Sequence, residues 1–278
     1  QNNKTAQNVT SNIIFKGSGS GGASVSEKLR ITSSGDVGIG ITNPTKTGIQ
    51  NLVKVLQIDG GDGAELILGN SVSSNVSTNH IGAIAFKNID TSTGNAPHYA
   101  GIRCNTTDTS GNMNLKFYTG STNFESDTPQ VSINSNGYVT KPSQPSFTAR
   151  STGTWSHGSS TGYLDIDINM VEEFDIGGNY NGQIFTAPVA GKYFFSYTFQ
   201  YKCTSGYLVV SLRKGVSGSY SSYGRMHVYP PQQSTTYHGP GIIGIIDLAA
   251  GNTVKPVAEV NYAGNQVANV NFSGYLLG

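Results

Sequence analysis

An all-β fold is predicted for this 278-residue chain by three observations. Gly, at 36 residues, is nearly double its usual share of ~7%. Short apolar runs rich in Tyr, Phe and β-branched residues alternate with turns of Gly, Asn and Ser. No window carries the 3.6-residue apolar period of an amphipathic helix.

Residues 1–28 read as a polar lead-in with one apolar triplet, Ile13-Ile14-Phe15, and a "GSGSGG" run. "LRITSSGDVGIG", 29–40, reads as a hairpin. A three-residue loop of Ser33, Ser34 and Gly35 places Ile31 opposite Val37 and Leu29 opposite Ile39, so all four apolar side chains share one face. Gly35 supplies the left-handed conformation that such loops need at their third position. A two-residue loop would scatter the apolar residues over both faces. The same figure recurs in "QVSINSNGYVTKP", with Ser135, Asn136 and Gly137 as the loop and Ile133 opposite Val139. Each copy is followed by a proline, Pro44 or Pro142, which ends the pairing. An isolated hairpin is marginal in water, so its apolar face must be covered by a neighbouring repeat or another chain.

Between the hairpins, "VKVLQID", "AELILGN", "HIGAIAFKN", "YAGIRCN" and "NLKFYTG" are expected strands. Their apolar residues are too few for a self-sufficient core, which again predicts burial between chains. "KPSQPS", 141–146, marks a domain boundary, giving 1–142 and 143–278. The second part holds longer strands: "GQIFTAPVAGKYFFSYTFQYK", "GYLVVSLRKG", "GPGIIGIIDLAAGNTVKPVAEV" and "ANVNFSGYLLG". Alternation places Tyr193, Phe195, Tyr197, Phe199 and Tyr201 on one face, and that face too is expected to need cover from another subunit. Strands at regular intervals with Gly/Pro turns predict a sandwich or jelly roll.

Charged residues make up 12% and the net charge is +1, with Lys and Arg scattered. Neither nucleic acid nor an anionic membrane is an expected partner. No apolar run reaches membrane-spanning length, and no signal-peptide pattern is present. The absence of an initiator Met predicts residues upstream of Gln1. Cys104 and Cys203 lack metal spacing and read as two buried small hydrophobes rather than a disulfide.

The first hairpin, with Leu29, Ile31, Gly35, Val37, Gly38, Ile39, Gly40 and Pro44 in an "LRI-x-SSG-x-VGIG-x-x-x-P" arrangement, resembles a segment of fibre proteins of tailed bacteriophages, notably those of cyanobacteria. Ile41 stands where such segments commonly carry Thr. The order "IGAIAF…YAGIRC…NLKFYTG…VSINSNGYV" is similar to the unit that precedes it there, and the resemblance covers most of 20–142. Residues 146–278 resemble the globular head of complement component one-q and its relatives in the tumour necrosis factor superfamily. Phe185, Ala187, Pro188, Gly191, Tyr193, Phe195, Phe272, Ser273 and Gly274 carry that match, with Asn252 where the family has Asp. The resemblance implies a ten-stranded jelly roll that trimerises, and a trimeric stem is what the single-faced hairpins require.

Chemistry is sparse. "GDVGIG" and "GSGSGG" precede no helix and no Lys-Ser/Thr, so they do not read as phosphate loops. The five His show no metal spacing. "DGGDG", 59–63, reads as an acidic turn rather than a calcium site, and Asp165 and Asp167 complete no cation motif. Glu172 and Glu173 are adjacent and would diverge on a strand, which argues against a paired-carboxylate glycosidase. No catalytic residue, metal or cofactor is expected. The segment 218–239 is different: it reads as a loop-rich region in which Tyr220, Tyr223, Arg225, His227, Tyr229, Tyr237 and His238 crowd together. Tyr rings stack on sugar faces at low entropic cost, and Arg and His donate to hydroxyls; the alternative is that these Tyr pack the jelly roll or line the trimer axis. The expected function is a homotrimeric virion fibre, with a slender β stem over 1–142 that joins other virion proteins on its N-terminal side. Its jelly-roll head, 143–278, is expected to bind a host cell-surface glycan. The alternative is a purely structural head or decoration fibre, and a polysaccharide depolymerase comes behind both.

Overall fold

The computed structural model describes residues 11–18, 25–45, 54–60, 62–71, 80–89, 98–124, 126–156, 162–165, 170–229, 239, 241–260 and 264–277. The chain forms two compact units, 1–69 and 70–278.

The first unit is a four-stranded sheet of β1 (Ile13–Gly17), β2 (Ser26–Ile31), β3 (Val37–Ile39) and β4 (Leu56–Ile58), in that order. The hairpin has the register expected from its apolar pattern: Leu29 faces Ile39 and Ile31 faces Val37, with Gly35 at φ 82°. The flanking strands extend the same face. Ile13, Ile31, Val37 and Leu56 form one row, and Phe15, Leu29, Ile39 and Ile58 the next. Ile13, Phe15 and Leu56 remain more than half exposed, so the face is left uncovered. The Val-Gly-Ile-Gly motif now has a cause. A Cβ on Gly38 would meet the Ile41 carbonyl at 2.5 Å, and Gly40, at φ 75°, lies against the Asp59 carbonyl. The chain folds back over its own hairpin, and only glycine leaves room. Asp36, buried in the turn, accepts from the Ser34 hydroxyl and from Val55 N at 2.8 and 2.9 Å, which ties the loop to the approach to β4. The run 64–70 was expected as a strand and is not one: Leu66, Ile67 and Leu68 are exposed and unpaired in backbone ladders. An apolar run becomes a strand only where a sheet edge receives it.

In the second unit, β5 (His80–Asn88), β6 (His98–Thr106), β7 (Met113–Ser121), β8 (Val131–Ile133) and β9 (Val139–Thr140) pair in order as an antiparallel meander. The second hairpin also has its expected register, Ile133 facing Val139 with Gly137 at φ 82°. One face again collects the apolar residues: Ile84, Ile102, Phe117 and Val131 in one row, and Gly82, Cys104, Leu115, Ile133 and Val139 in the next. Cys104 is half-buried here, its Sγ 3.7 Å from the Met113 Sδ, and so is less enclosed than expected. Cys203 is buried.

The rest of this unit is a two-sheet sandwich of β10 (Ser146–Ser156), β11 (Gly162–Asp165), β12 (Val171–Ile176), β13 (Phe185–Thr186), β14 (Gly191–Lys202), β15 (Leu208–Val216), β16 (Ser219–Val228), β17 (Gly241–Leu248), β18 (Thr253–Val260) and β19 (Gln266–Leu276). One sheet runs β12-β10-β19-β14-β17; the other runs β11-β18-β15-β16, with β13 also on β18. The pairs β15–β16, β14–β17, β13–β18 and β10–β19 nest inside one another, the signature of a jelly-roll-like winding. Pro256 is tolerated inside β18 because it lies between the stretches that pair with β13 and with β11. Between the sheets, Phe147 stacks on Tyr180 and Phe185 at 4.7 and 5.1 Å, and Phe195 on Phe272 at 5.9 Å. A Cβ on Gly274 would strike the Phe195 ring at 2.6 Å, so glycine is what lets the rings close over β19. Tyr193, Phe195, Tyr197 and Phe199 are buried inside this single sandwich, with Tyr201 packed at its margin. The expectation that this face needs another subunit is therefore corrected. The opposite sheet supplies the cover, each fully buried ring contributing about 1.5–3 kcal/mol.

Candidate functional site

The segment expected as a loop is a strand from Ser219 to Val228. It turns back on β15 through Ser217-Gly218, whose φ values of 48° and 83° make a two-residue type I′ hairpin. As the outermost strand of its sheet, β16 has one edge without a ladder partner among the described residues.

Which residues share a face is decided by one glycine. Ser211 lies opposite Arg225 and Leu212 opposite Tyr223, so Gly224 is an extra residue on β16, at φ 67°. This β-bulge resets the alternation. Leu208, Val210 and Leu212 of β15 point into the core, and residues directly opposite them point the same way. Met226 packs against the core accordingly. On the outer face, Tyr220 lies opposite Gly215, Arg225 opposite Ser211, and His227 opposite Val209. Without the bulge, Arg225, His227 and Tyr229 would turn inward. With it, they join Tyr220.

Four of the seven expected residues therefore share the outer face: Tyr220, Arg225, His227 and Tyr229. Tyr223 does not. It lies opposite Leu212, on the core side at the sheet's edge, 43% exposed. Tyr237 and His238 lie outside the described residues.

The face is chemically dense. The Tyr220 ring lies over Gly215, where a Cβ would meet it at 2.8 Å. Lys255 of β18 places its Nζ 4.8 Å from the same ring centre, a cation–π contact. Arg225 donates to Glu259 of β18 at 3.3 Å; both groups are part-exposed, so the pair contributes at most about 1 kcal/mol. His227 and Tyr229 lie with ring centres 6.3 Å apart and planes within 17°, and Tyr207 approaches Tyr229 at 6.5 Å. The result is an aromatic ladder with guanidinium, ammonium and carboxylate groups at its side. It offers ring faces for stacking and both donors and acceptors for hydroxyls. Lys255, Glu259 and Tyr207 were missed by sequence reasoning, because they come from strands that only tertiary pairing sets beside β16.

The other acidic candidates do not converge. Glu173 pairs with Arg150 at 2.5 Å, while Glu172 sits opposite Ala149. Among the described residues no cluster of His, Cys, Asp and Glu is arranged to hold a metal.

No protein-family model matches the chain, and no curated protein matches it. Among solved structures, murine APRIL at pH 5.0 is similar over 48% of this chain and 99% of its own, at 10% identity and a TM-score of 0.39. The globular domain of the zebrafish complement 1qA protein is similar over 49% of this chain and 98% of its own, at 16% identity and a TM-score of 0.35.

Proposed function

We propose that the chain is a homotrimeric virion fibre protein whose sandwich binds a host-surface glycan through the outer face of β15, β16 and β18. The observation that carries the adhesive role is the bulge at Gly224, which sets Tyr220, Arg225, His227 and Tyr229 on one solvent-facing surface. The resemblance of 20–142 to phage fibre segments supports the virion assignment. Support for self-association comes from the two sheets with uncovered apolar faces, and from the sandwich itself. On its β12-β10-β19-β14-β17 sheet, Ile243, Ile245, Phe174 and Tyr275 are all exposed on one side. Exposed apolar surface of this extent marks an association site.

A second reading, a structural fibre without a receptor, is favoured by one feature: Tyr220 and Arg225 already have partners in Lys255 and Glu259. The two readings part at His227 and Tyr229. A millimolar site contributes only about −4 kcal/mol, but three on one fibre raise avidity by about 10²–10⁴. Tyr229→Ala and His227→Ala should each lower attachment of the purified trimer to host cells about tenfold or more. Tyr223→Ala, on the other side of the strand, should leave attachment unchanged. Equal attachment by all three variants, with the trimer intact by sedimentation, would leave the structural fibre as the function.

A further inference from the structure

Residues 62–71 follow the first sheet and are exposed throughout. At their centre Leu66, Ile67 and Leu68 are 62, 77 and 44% exposed. Among the described residues, the backbone of 64–69 makes no hydrogen bond. Three apolar residues in a row, with backbone donors and acceptors open on both sides, have the make-up of a strand and lack a sheet.

The same unit has an edge that fits them. β4 ends its sheet and pairs with β3 alone. The Val55 carbonyl accepts from Val37 N, and Asp59 N donates to the Ile39 carbonyl, at 2.8 and 2.9 Å. Backbone groups alternate sides along a strand, so those of Leu56 and Ile58 point away from β3, where no described strand meets them. Leu56-Gln57-Ile58 and Leu66-Ile67-Leu68 match in length and carry apolar residues at both ends. Laid along β4 in either direction, the second run sets Leu66 and Leu68 beside Leu56 and Ile58 and continues both apolar rows. We infer that 64–69 of one copy of the chain adds to the β4 edge of a second copy as an exchanged strand. Each chain supplies both a donor segment and an acceptor edge, so a closed ring of copies satisfies all of them. An open apolar edge is otherwise a site of uncontrolled pairing. Only 59–63 separate β4 from the run, a reach of at most about 20 Å, which keeps the exchange between adjacent copies. The inference rests on the self-association proposed above and names the segment that makes it.

The test mixes full-length Leu56→Cys with either Leu66→Cys or Leu68→Cys, refolds the two together and oxidises the thiols with copper–phenanthroline in air. Mass spectrometry of the digest then identifies the joined peptides. A disulfide between the two substituted positions is expected in one mixture, the one that matches the strand direction. Ile13→Cys, on the far edge of the sheet, should join neither. Leu66→Asp, at a position exposed in the single chain, should weaken association by about tenfold or more in sedimentation and leave the sandwich transition in place. An intact trimer without the disulfide, or with one to Ile13→Cys instead, overturns the exchange and leaves self-association standing. So does a disulfide that forms within the doubly substituted Leu56→Cys/Leu68→Cys chain and not in the mixtures, since the pairing would then be the chain's own hairpin. A chain that stays monomeric at every concentration overturns both readings.

Discussion

Two tyrosines on one face of β14 make a matched experiment in the energetics of a buried hydroxyl. Tyr193 and Tyr197 are both 0% exposed and sit in the same aromatic core. The Tyr193 hydroxyl donates to the Val189 carbonyl at 2.8 Å. The Tyr197 hydroxyl has no hydrogen-bond partner among the described residues, and burial alone drives its phenol pKa well up. Replacing each by Phe removes one oxygen and leaves the ring packing in place. For Tyr193 the change deletes a satisfied hydrogen bond to the carbonyl of the exposed Val189, at a cost of about 0.5–1.5 kcal/mol. For Tyr197 it removes a polar group that was desolvated without compensation, a gain of about 1–3 kcal/mol. Scanning calorimetry of the two variants should move the sandwich transition in opposite directions, by about 2–4 °C per kcal/mol for a domain of this size. The sign is the test. If Tyr197→Phe is destabilised as much as Tyr193→Phe, the hydroxyl has a partner, such as a buried water, and the argument from an orphaned phenol is wrong.

Gly224→Ala should destabilise the sandwich by about 1–2 kcal/mol, since a residue with a Cβ is strained at φ 67° and Ile242 Cγ2 stands 3.2 Å from the new methyl; denaturant titration gives the value, and an unchanged midpoint would mean the bulge is absent. A fragment beginning at Lys141 should fold and outlast one beginning at Ser146 by about 1–3 kcal/mol. The longer fragment keeps the Gln144 side-chain bond to the Leu276 carbonyl and the 3.0 Å bond from Leu276 N to the Pro145 carbonyl. Failure of the Lys141 fragment to fold by circular dichroism would tie the sandwich to the β5–β9 sheet as one cooperative unit.

Local pattern carried most of the strand assignments. The hairpins at 29–40 and 131–140 were legible to the residue, because a period of two and a left-handed Gly leave one register that gathers the apolar side chains. The alternation in 192–201 likewise named the buried rings of β14. What covers those rings was not legible, since it depends on a second sheet built from strands far along the chain. The Ser217-Gly218 turn is a hairpin signal that the polarity of the residues after it masks, so the sequence of β16 reads as a loop. The bulge at Gly224 is a relation between two strands and leaves no mark in one of them. Lys255 and Glu259 reach β16 only through β15.

The contrast between the parts of the chain bears on what the protein is built to do. The sandwich satisfies its own aromatic core, so the apolar residues it leaves outside, Ile243 and Ile245 above all, are not a by-product of a shortage of cover. The two sheets formed by β1–β4 and by β5–β9 are in the opposite position: each gathers its apolar residues on one face and, among the described residues, has no second sheet over that face. A single twisted sheet cannot bury that face by itself, whereas a β-sandwich can. Folding of those sheets and association with another apolar surface are thus the same event energetically, while for the sandwich they are separable. Stability of the two single sheets should therefore vary with protein concentration, while that of the sandwich should not. Mutations on the apolar faces of 13–58 and 82–139 should act on assembly, and mutations on the outer face of β16 should act on recognition. That separation makes the two sets of mutations distinguishable: the first should change sedimentation and the second should not.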